Sequence, residues 1–279
     1  MIHIQDFTFR YRESERPVVE GVTLDIPAGA FAGITGAAGS GKSTLTYAMN
    51  GIIPHCYPGD FYGTVTVDGV DTCTATLTDL SRAVGSVCQD IDSQIVTSIV
   101  EDEVLYGLEN FGVPHDRIEA RVTEALEAMG IADLRERAIA SLSGGQKQKV
   151  AIASVLALHP KVLVLDEPTA ELDPASSRQV FELLAAYARD NGTTVVAVEQ
   201  KIALLSEFAD VLIIVDGGRI RFAAPPREVL VHSEELLELG VNCPRSTTLM
   251  NRLANAGLYT GPVCCDVREA SEALLEVVA

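Results

Sequence analysis

The chain is organised around one short segment, Gly36-Ala37-Ala38-Gly39-Ser40-Gly41-Lys42-Ser43-Thr44. This segment matches the phosphate-binding pattern G-x-x-x-x-G-K-[ST]. The apolar run Phe31–Thr35 precedes it and predicts a buried strand, and Thr44–Asn50 follows it with helical character. The motif therefore has the strand–loop–helix context that it requires, which argues against a plain glycine-rich turn.

The glycines of this loop allow backbone N–H groups to point inward together, at the positive end of the helix that follows. Such a nest is suited to an anionic phosphate. In a loop of this pattern we expect Lys42 to reach the β- and γ-phosphates of a nucleotide, and the Ser43 hydroxyl to bind Mg²⁺. The sequence therefore predicts a nucleotide site.

The composition limits the kinds of partner. The 279 residues suit one large domain, or one domain with a smaller appendage, and 47% hydrophobic residues suffice for a sizeable core. The net charge of −18 argues against nucleic acid and against anionic lipid surfaces as main partners. A bound nucleotide must then be held by local features such as the loop.

The sequence predicts a soluble, cytoplasmic chain that meets a membrane only through a partner. Its first residues, Met1–Asp6, lack the layout of a signal peptide. The longest apolar run, Val150–Leu158, is shorter than the ~20 residues of a membrane helix. The six cysteines form no C-x-x-C pair and no metal-binding spacing, and we expect them to be buried thiols.

Hydrophobic periodicity predicts an α/β fold. Period-two alternation predicts early strands at Ile2–Ile4, Phe7–Phe9, Val22–Ile26 and Gly63–Val67. The period becomes helical from about residue 95 to 160, which predicts a helical insertion. Continuous apolar runs at 162–165, 195–198 and 211–215 predict buried parallel strands, with a helix from about 174 to 190 between the first two. After residue 226 short helices are expected, and the apolar segments 236–240 and 249–253 are expected to pack on the rest of the protein.

Two acidic residues, Asp166 and Glu167, end one of the predicted strands. The carboxyl end of a parallel strand lies at the same sheet edge as the phosphate loop. We expect Asp166 to hold Mg²⁺ through water and Glu167 to polarise the attacking water. The alternative is an acidic pair that is merely solvated at the surface.

The segment Leu142-Ser143-Gly144-Gly145-Gln146 precedes this acidic pair by about 20 residues and opens an apolar helix. Ser143 can cap that helix, and the two glycines allow a phosphate to approach the backbone closely. Alone, such a pentapeptide is only a weak signal of a phosphate-binding motif. Between a phosphate loop and an Asp-Glu strand it becomes a strong one.

With these motifs the chain resembles the nucleotide-binding subunits of ATP-binding cassette (ABC) transporters, over roughly residues 2–230. The resemblance implies a RecA-like P-loop NTPase core with an antiparallel β subdomain and a helical subdomain inserted at about 90–160. A nucleotide-binding domain would cover 1–230, and a small helical C-terminal extension would cover 231–279. Such subunits bind ATP and Mg²⁺, hydrolyse ATP and work as head-to-tail dimers.

The resemblance also implies roles for single residues. Tyr11 matches the aromatic residue that stacks on adenine. Gln89 matches the glutamine that contacts the metal, senses the γ-phosphate and links the core to the helical subdomain. Glu171-Leu172-Asp173 matches a segment that contacts the opposing site, so Asp173 is implied in nucleotide binding. Ser143–Gln146 would serve the partner's ATP, because this loop is expected a whole subdomain away from the chain's own phosphate loop.

More narrowly, Gln89–Ile95, Val100–Asn110 and the tail at 239–257 resemble the ATPases of energy-coupling factor importers. That resemblance implies a second ATPase subunit or half, a transmembrane coupling subunit, and a separate membrane subunit that binds a vitamin or metal ion. The chain would then be an ATP hydrolase, peripheral on the inner face of the cell membrane, that energises uptake of a vitamin or transition-metal ion. Its own sequence does not identify the cargo.

Two positions depart from the usual ABC pattern. The resemblance implies a catalytic switch at Gln200, where histidine is usual, and Lys149 stands where arginine is usual. Gln200 leaves open a partner subunit that binds ATP without hydrolysing it, although Glu167 argues against that function. A soluble ABC ATPase acting on DNA, ribosomes or cluster assembly is a further alternative, which the charge of −18 and the compact length oppose.

Overall fold

The structure, a computed structural model, describes residues 1–278. Its first sheet is antiparallel and has the strand order β2-β1-β4-β5. The strands are β1 (Ile2–Tyr11), β2 (Val19–Ile26), β4 (Gly59–Val67) and β5 (Val70–Asp71). The predicted Asp-Gly turn joins β4 to β5: Asp68 and Gly69 both have positive φ, of 52° and 78°, as a tight hairpin requires.

The two short strands predicted at Ile2–Ile4 and Phe7–Phe9 are one bulged strand. The register of β1 against β2 shifts between Ile4 and Phe7, and Asp6 has a positive φ of 48°. Ile2 and Ile4 are buried on one side of this irregularity, and Phe7 and Phe9 on the other. The extra residue changes the phase of the alternation, so that both halves of β1 face the same core.

The second sheet has the strand order β10-β9-β3-β8-β7-β6. Its strands are β3 (Phe31–Thr35), β6 (Val84–Val87), β7 (Val162–Asp166), β8 (Thr194–Val198), β9 (Val211–Asp216) and β10 (Arg219–Ala224). The strands from β9 to β6 pair in parallel, and β10 pairs antiparallel with β9. The apolar runs therefore form a parallel sheet, as the sequence predicts.

Both faces of this sheet are covered. Along β8, Val195 and Ala197 pack into one hydrophobic core with the helical insertion, whereas Val196 and Val198 pack into a second core with the antiparallel sheet. Burial on both faces explains why these strands are continuously apolar rather than alternating. The carboxyl ends of β3, β6, β7 and β8 meet at one edge, where the phosphate loop begins.

The helices are α1 (Lys42–Met49), α2 (Ile52–His55), α3 (Leu77–Ser81), α4 (Ile91–Gln94), α5 (Val100–Asn110), α6 (His115–Ala128), α7 (Gly144–Leu156), α8 (Pro174–Asn191), α9 (Ile202–Phe208), α10 (Pro226–Leu230), α11 (Ser233–Glu238), α12 (Arg245–Asn255) and α13 (Val267–Val278). Two 3₁₀ turns, Ala132–Leu134 and Ile139–Ser141, lie between α6 and α7. The helix predicted at 174–190 is α8.

The helical insertion lies between β6 and β7 and contains α4 to α7. Val100, Val104 and Leu108 have no exposed surface, so the predicted stripe on α5 is the insertion's own core. Arg135 joins α5 to α6, because its guanidinium donates to Glu101 at 2.5 Å and to Glu119 at 2.7 Å.

The C-terminal helices pack on the core through buried polar contacts. The Asn251 amide on α12 donates to the carbonyl oxygen of Leu230 at 2.7 Å, where α10 ends. Leu236 is fully buried, as expected, but Leu237 and Leu249 are 57% and 48% exposed, so the prediction that their segments pack inward holds only on one face of each helix. A division of the chain at residue 230 stays a prediction.

The expectation of buried thiols is wrong for two cysteines. Cys56 and Cys88 are exposed, while Cys264 and Cys265 are buried, and none of the six forms a disulfide within residues 1–278. Cys56 follows the short helix α2, and Cys88 follows the end of β6, where the sheet opens to a cavity. Among the described residues no helix combines the length and apolar character needed to cross a bilayer.

Candidate functional site

The loop between β3 and α1 has the backbone of a phosphate cradle. Gly36, Gly39 and Gly41 have positive φ values of 151°, 74° and 105°. A Cβ atom at Gly36 would lie 2.1 Å from the carbonyl oxygen of Val215, so no larger residue fits there. Ser40 is buried, and its Oγ has no hydrogen-bond partner among residues 1–278. A buried hydroxyl without a partner inside such a loop is suited to a phosphate oxygen.

Lys42 begins α1 and turns back over the loop. Its Nζ donates to the carbonyl oxygens of Gly36 and Ala37 at 2.9 and 2.8 Å. Burial lowers the pKa of Lys42, and the negative charges of Glu167 and Asp166 act in the opposite direction. The ammonium group is therefore held inside the loop, beside the acidic end of β7.

Asp166 is the last residue of β7, and the Ser43 hydroxyl lies near its carboxylate. Burial and the adjacent charge of Glu167 raise the pKa of Asp166, whereas Ser43 and Lys42 lower it. The structure thus brings together the loop serine and the strand-end aspartate that the sequence predicts to hold Mg²⁺. A carboxylate and a hydroxyl are oxygen ligands of the kind that Mg²⁺ prefers.

Glu167 leaves the sheet with a positive φ of 50°, and its N–H donates to the carbonyl oxygen of Val198 on β8 at 2.9 Å. Positive φ is uncommon for residues other than glycine, and such conformations cluster at functional sites. Glu167 Oε1 accepts a hydrogen bond from Gln200 Nε2 at 2.6 Å, and Oε2 accepts one from Gln89 Nε2 at 3.3 Å. All three residues predicted to be catalytic therefore meet at one carboxylate.

Tyr11 lies on the other side of the loop. Its hydroxyl is 3.0 Å from Oγ1 of the buried Thr44, and its ring packs edge-on against Phe9 and Tyr57, with centroid distances of 4.9 and 6.2 Å. The tyrosine is thus next to the phosphate loop, as a residue that contacts the base of a nucleotide must be. Stacking on adenine stays a prediction.

The Ser143–Gln146 segment begins α7 with a capping box. Ser143 Oγ accepts from the backbone N–H of Gln146 at 3.3 Å, and Gln146 Oε1 accepts from the N–H of Ser143 at 3.0 Å. The predicted capping role of Ser143 is therefore present. A Cβ atom built at Gly144 meets nothing within 4 Å, and one at Gly145 would lie 3.2 Å from Leu172. This turn is open on one side and packed on the other.

The expectation that this loop lies a whole subdomain away from the chain's own site is wrong. Gly144 and Gln148 line a cavity of about 520 Å³ that is also lined by Ser43, Asp166 and Glu167. The insertion folds back over the edge of the sheet, because α7 returns the chain directly to β7. The first turn of α7 and the acidic end of β7 therefore face each other across this cavity.

Asp173 caps α8, and its carboxylate contacts its own helix. Oδ1 accepts from the N–H groups of Ala175 at 2.9 Å and Ser176 at 3.0 Å, and Oδ2 accepts from the Ser176 hydroxyl at 2.5 Å. These contacts hold the pKa of Asp173 below its ordinary value. A contact of Asp173 with a nucleotide or with another subunit stays a prediction.

A profile of the ABC transporter family matches residues 19–170, more than half of the chain. The chain belongs to the ABC transporter family. An ABC transporter ATP-binding protein of Pyrococcus horikoshii is 40% identical over 92% of this chain and 91% of the relative. The family assignment confirms the predicted class of ATPase and the predicted P-loop fold.

Two solved structures are similar to this ABC ATPase. One is cbiO1 of Clostridium perfringens, part of the ABC transporter complex cbiONQ, with a TM-score of 0.77, 30% identity, and coverage of 91% of this chain and 98% of that one. The other is a dimer of the ATP-binding cassette MJ0796 bound to ADP and phosphate, with a TM-score of 0.71, 25% identity, and coverage of 81% and 99%.

Sequence reasoning missed two residues of this ABC ATPase that lie beside Gln200. Glu199 is 1% exposed, and its carboxylate accepts from the Thr169 hydroxyl at 2.5 Å. Lys201 Nζ donates to the carbonyl oxygens of Thr169 and Leu172 at 2.6 and 2.9 Å. The one available signal was an acidic and a basic residue flanking Gln200 directly after a buried strand.

Proposed function

We propose that this ABC transporter ATP-binding subunit hydrolyses ATP at a site built on Lys42, Asp166 and Glu167, and that hydrolysis drives import of a micronutrient. The micronutrient is a vitamin or a transition-metal ion, and it passes through a transmembrane coupling subunit. The observation that carries the proposal is the pair of hydrogen bonds from Gln89 and Gln200 to the two oxygens of Glu167.

Glu167 is placed to accept a proton from the attacking water. Amide donors from the ends of two other strands orient both of its oxygens, so the side chain is held in position before the substrate arrives. Because a carboxylate oxygen accepts two hydrogen bonds, each oxygen keeps a lone pair for a water molecule. A positioned general base of this kind contributes roughly 10²–10⁴ to the rate.

The phosphate loop supplies the binding. Lys42 lies among the carbonyl oxygens of Gly36 and Ala37, and the buried Ser40 hydroxyl has no other partner in the described chain. A triphosphate would give the Lys42 ammonium and the Ser40 hydroxyl acceptors of full negative charge, which form stronger hydrogen bonds than neutral carbonyl oxygens do. Lys42 and Ser40 are therefore better suited to bind a phosphate chain than to bind a neutral ligand.

Mg²⁺, when bound, neutralises charge on the phosphate oxygens. Ser43 would hold the ion directly and Asp166 through water, with the amide oxygen of Gln89 as a further ligand. The raised pKa of Asp166 supports this fit, because burial and the charge of Glu167 disfavour the ionised carboxylate unless a cation lies close to it.

We infer that two ATPase subunits, identical or paralogous, or two ATPase halves of one chain, form a head-to-tail dimer in which Ser143–Gln146 completes the site of the partner. The open side of Gly144 supports this inference, since a phosphate could approach the backbone there. The likeness to a solved cassette dimer bound to ADP and phosphate supports it as well. Asp173 is the last residue of the segment Glu171-Leu172-Asp173, which would contact the opposing subunit.

The importer function is supported by the likeness to cbiO1 and by the surface of the helical insertion. Val96, Tyr106 and Phe111 are 63%, 48% and 41% exposed, and we name them the coupling surface. The loop that carries Val96 is held in place by the buried Glu103, whose carboxylate accepts from the N–H groups of Val96 and Thr97 at 3.0 and 2.8 Å. Exposed apolar side chains on a helical insertion are suited to contact a short helix of a membrane subunit. The chain would then sit on the inner face of the membrane.

A charge on the coupling surface tests the transport role. Tyr106→Glu should abolish co-purification with the transmembrane partner, while ATP binding is unchanged. Tyr62→Glu is the matched control, because Tyr62 is 62% exposed but lies on the antiparallel sheet. Unchanged co-purification of Tyr106→Glu would contradict the proposed docking.

One observation favours a second function, that of a subunit that binds ATP and leaves hydrolysis to its partner. The Gln200 amide that contacts Glu167 is neutral, whereas the histidine usual at this position can carry a positive charge against the γ-phosphate. Single-turnover ATP hydrolysis by the purified chain distinguishes the two functions: a measurable first turnover that depends on Glu167 supports catalysis, and none supports the binding-only subunit.

A further inference from the structure

The residue after Gln200 holds a turn that borders the site. Lys201 Nζ donates three hydrogen bonds, to the carbonyl oxygens of Thr169 and Leu172 at 2.6 and 2.9 Å and to Ser177 Oγ at 2.9 Å. An ammonium group has three N–H donors, so Lys201 is fully satisfied by these contacts. It fixes both ends of the turn 169–172 to the start of α8.

The residue before Gln200 holds the same turn from the other side. Glu199 is 1% exposed, and its Oε2 accepts from the Thr169 hydroxyl at 2.5 Å. Its Oε1 accepts from the backbone N–H groups of Gln200 and Lys201 at 2.9 and 3.2 Å. Thr169 is therefore bound through its hydroxyl by Glu199 and through its carbonyl by Lys201.

The turn 169–172 also connects to the glycines at the start of α7. Ala170, Glu171 and Leu172 line the 520 Å³ cavity together with Glu167, and Leu172 is the side chain that a Cβ at Gly145 would meet at 3.2 Å. Lys201 thus joins three parts of the molecule: the backbone that carries Gln200, the turn, and the Ser143–Gln146 loop that packs on the turn.

We propose that Lys201, with Glu199, is a positioning residue that holds Gln200 against Glu167 and the turn 169–172 against the Ser143–Gln146 loop. The inference rests on the proposed ATP hydrolysis. Lys201 contacts neither the phosphate loop nor the acidic pair in any hydrogen bond of the described chain, so it acts through Gln200 and the turn. Loss of the ammonium group leaves two carbonyl oxygens without their charged donor and lets the turn move.

Lys201→Met tests this role, because it keeps the length of the side chain and removes the ammonium group. We expect kcat to fall about tenfold, since small misplacements of catalytic groups are costly. The KM for ATP should stay within about twofold, since the phosphate loop is untouched. Amide hydrogen exchange of the peptide containing 169–172 should become faster, which reports the turn independently of activity. Lys201→Arg should recover part of both losses.

Two controls separate positioning from general destabilisation. Lys161→Met removes another lysine ammonium, one that pairs with Asp68 at 2.5 Å far from Gln200 in the fold, and should leave kcat and exchange of the turn unchanged. In a Gln200→Ala background, Lys201→Met should lower kcat less than in the parent, because Lys201 acts in part by positioning Gln200. Lys201→Gln keeps a neutral amide with two N–H donors, and it allows the same measurements if Lys201→Met does not fold.

The inference would be overturned if Lys201→Met kept both the kcat and the hydrogen exchange of the parent. It would also be overturned if Lys201→Met lowered kcat as much in the Gln200→Ala background as in the parent, while exchange of the turn stayed unchanged. Glu167→Gln, measured in parallel, separates this failure from that of the proposed function. If Glu167→Gln inactivates and Lys201→Met does not, the ATPase assignment stands and the positioning role is wrong. If Glu167→Gln is active, the proposed base is wrong, and hydrogen exchange still reports on the turn.

Discussion

Gln200 donates a hydrogen bond of 2.6 Å from its Nε2 to Oε1 of Glu167, across the ends of two neighbouring parallel strands. The contact places a neutral amide where a histidine is usual in the family. An amide carries both donors and an acceptor, so Gln200 can orient the carboxylate and a water molecule, but it cannot carry a positive charge. The site is therefore expected to be organised for hydrolysis and to be slow.

Gln200→His should raise ATP turnover of the assembled transporter several-fold. Losing one electrostatic contact to the transition state typically costs on the order of 3 kcal/mol, or about 10²-fold in rate, and histidine restores part of it. Gln5→His, at an exposed position of β1, is the control. No change, with Glu167→Gln still inactivating, would mean that the glutamine already does the work of the histidine.

If the partner ATPase keeps a histidine at its switch position, the dimer should be asymmetric, with most turnover at the partner's site. Inactivating each site in turn by its own Glu→Gln change measures that asymmetry. Equal losses from the two changes would contradict it.

Lys42→Ala should abolish ATP binding. The substitution removes the only lysine that the described structure places inside the phosphate loop, and with it the cation that we propose contacts the β- and γ-phosphates. Equilibrium binding of a fluorescent ATP analogue measures the loss. Lys161→Ala, outside the site, should bind as the parent does, and parent-like binding by Lys42→Ala would show that the nucleotide lies elsewhere.

Ser143→Arg should prevent ATP-dependent dimerisation without weakening ATP binding by the monomer. The arginine would fill the open side of the Ser143–Gln146 turn, where the partner's nucleotide is expected. Ser143→Ala is the matched control, because both changes remove the capping hydroxyl, at a typical cost of about 1 kcal/mol, but only arginine adds bulk. Size-exclusion chromatography with and without ATP separates the outcomes. If Ser143→Arg, but not Ser143→Ala, weakened ATP binding by the monomer, the loop would belong to the chain's own nucleotide site. The test is sharp because the loop and the acidic end of β7 line the same 520 Å³ cavity.

Most of the fold could be predicted because its elements have clear periods. The runs at 162–165, 195–198 and 211–215 are apolar without interruption, which is typical of strands buried on both faces, and they became β7, β8 and β9. The phosphate loop and the capping residue Ser143 could be predicted because each depends only on neighbours a few residues away. The bulge at Asp6 could not, since it depends on how β1 pairs with β2.

The contacts that orient Glu167 were only partly predictable. Gln89 and Gln200 were found by resemblance, but their meeting at one carboxylate depends on the sheet order, which brings the ends of β6, β7 and β8 together. Lys201 could not be found, because its partners Thr169 and Leu172 lie 32 and 29 residues earlier in the chain, on another loop. No local pattern connects two loops that meet only after the strands have paired.

The most direct test of Glu167 as the general base is ATP turnover by Glu167→Gln, in the purified chain and in the complex with its membrane partner. The change keeps the shape of the side chain and removes its basicity. We expect ATP binding and ATP-dependent dimerisation to be retained, while turnover at this site falls by roughly 10²–10⁴. Glu182→Gln, an exposed carboxylate on α8 that pairs with Arg178, should hydrolyse ATP at the parent rate. Turnover by Glu167→Gln at the parent rate would contradict the assignment of Glu167 as the general base.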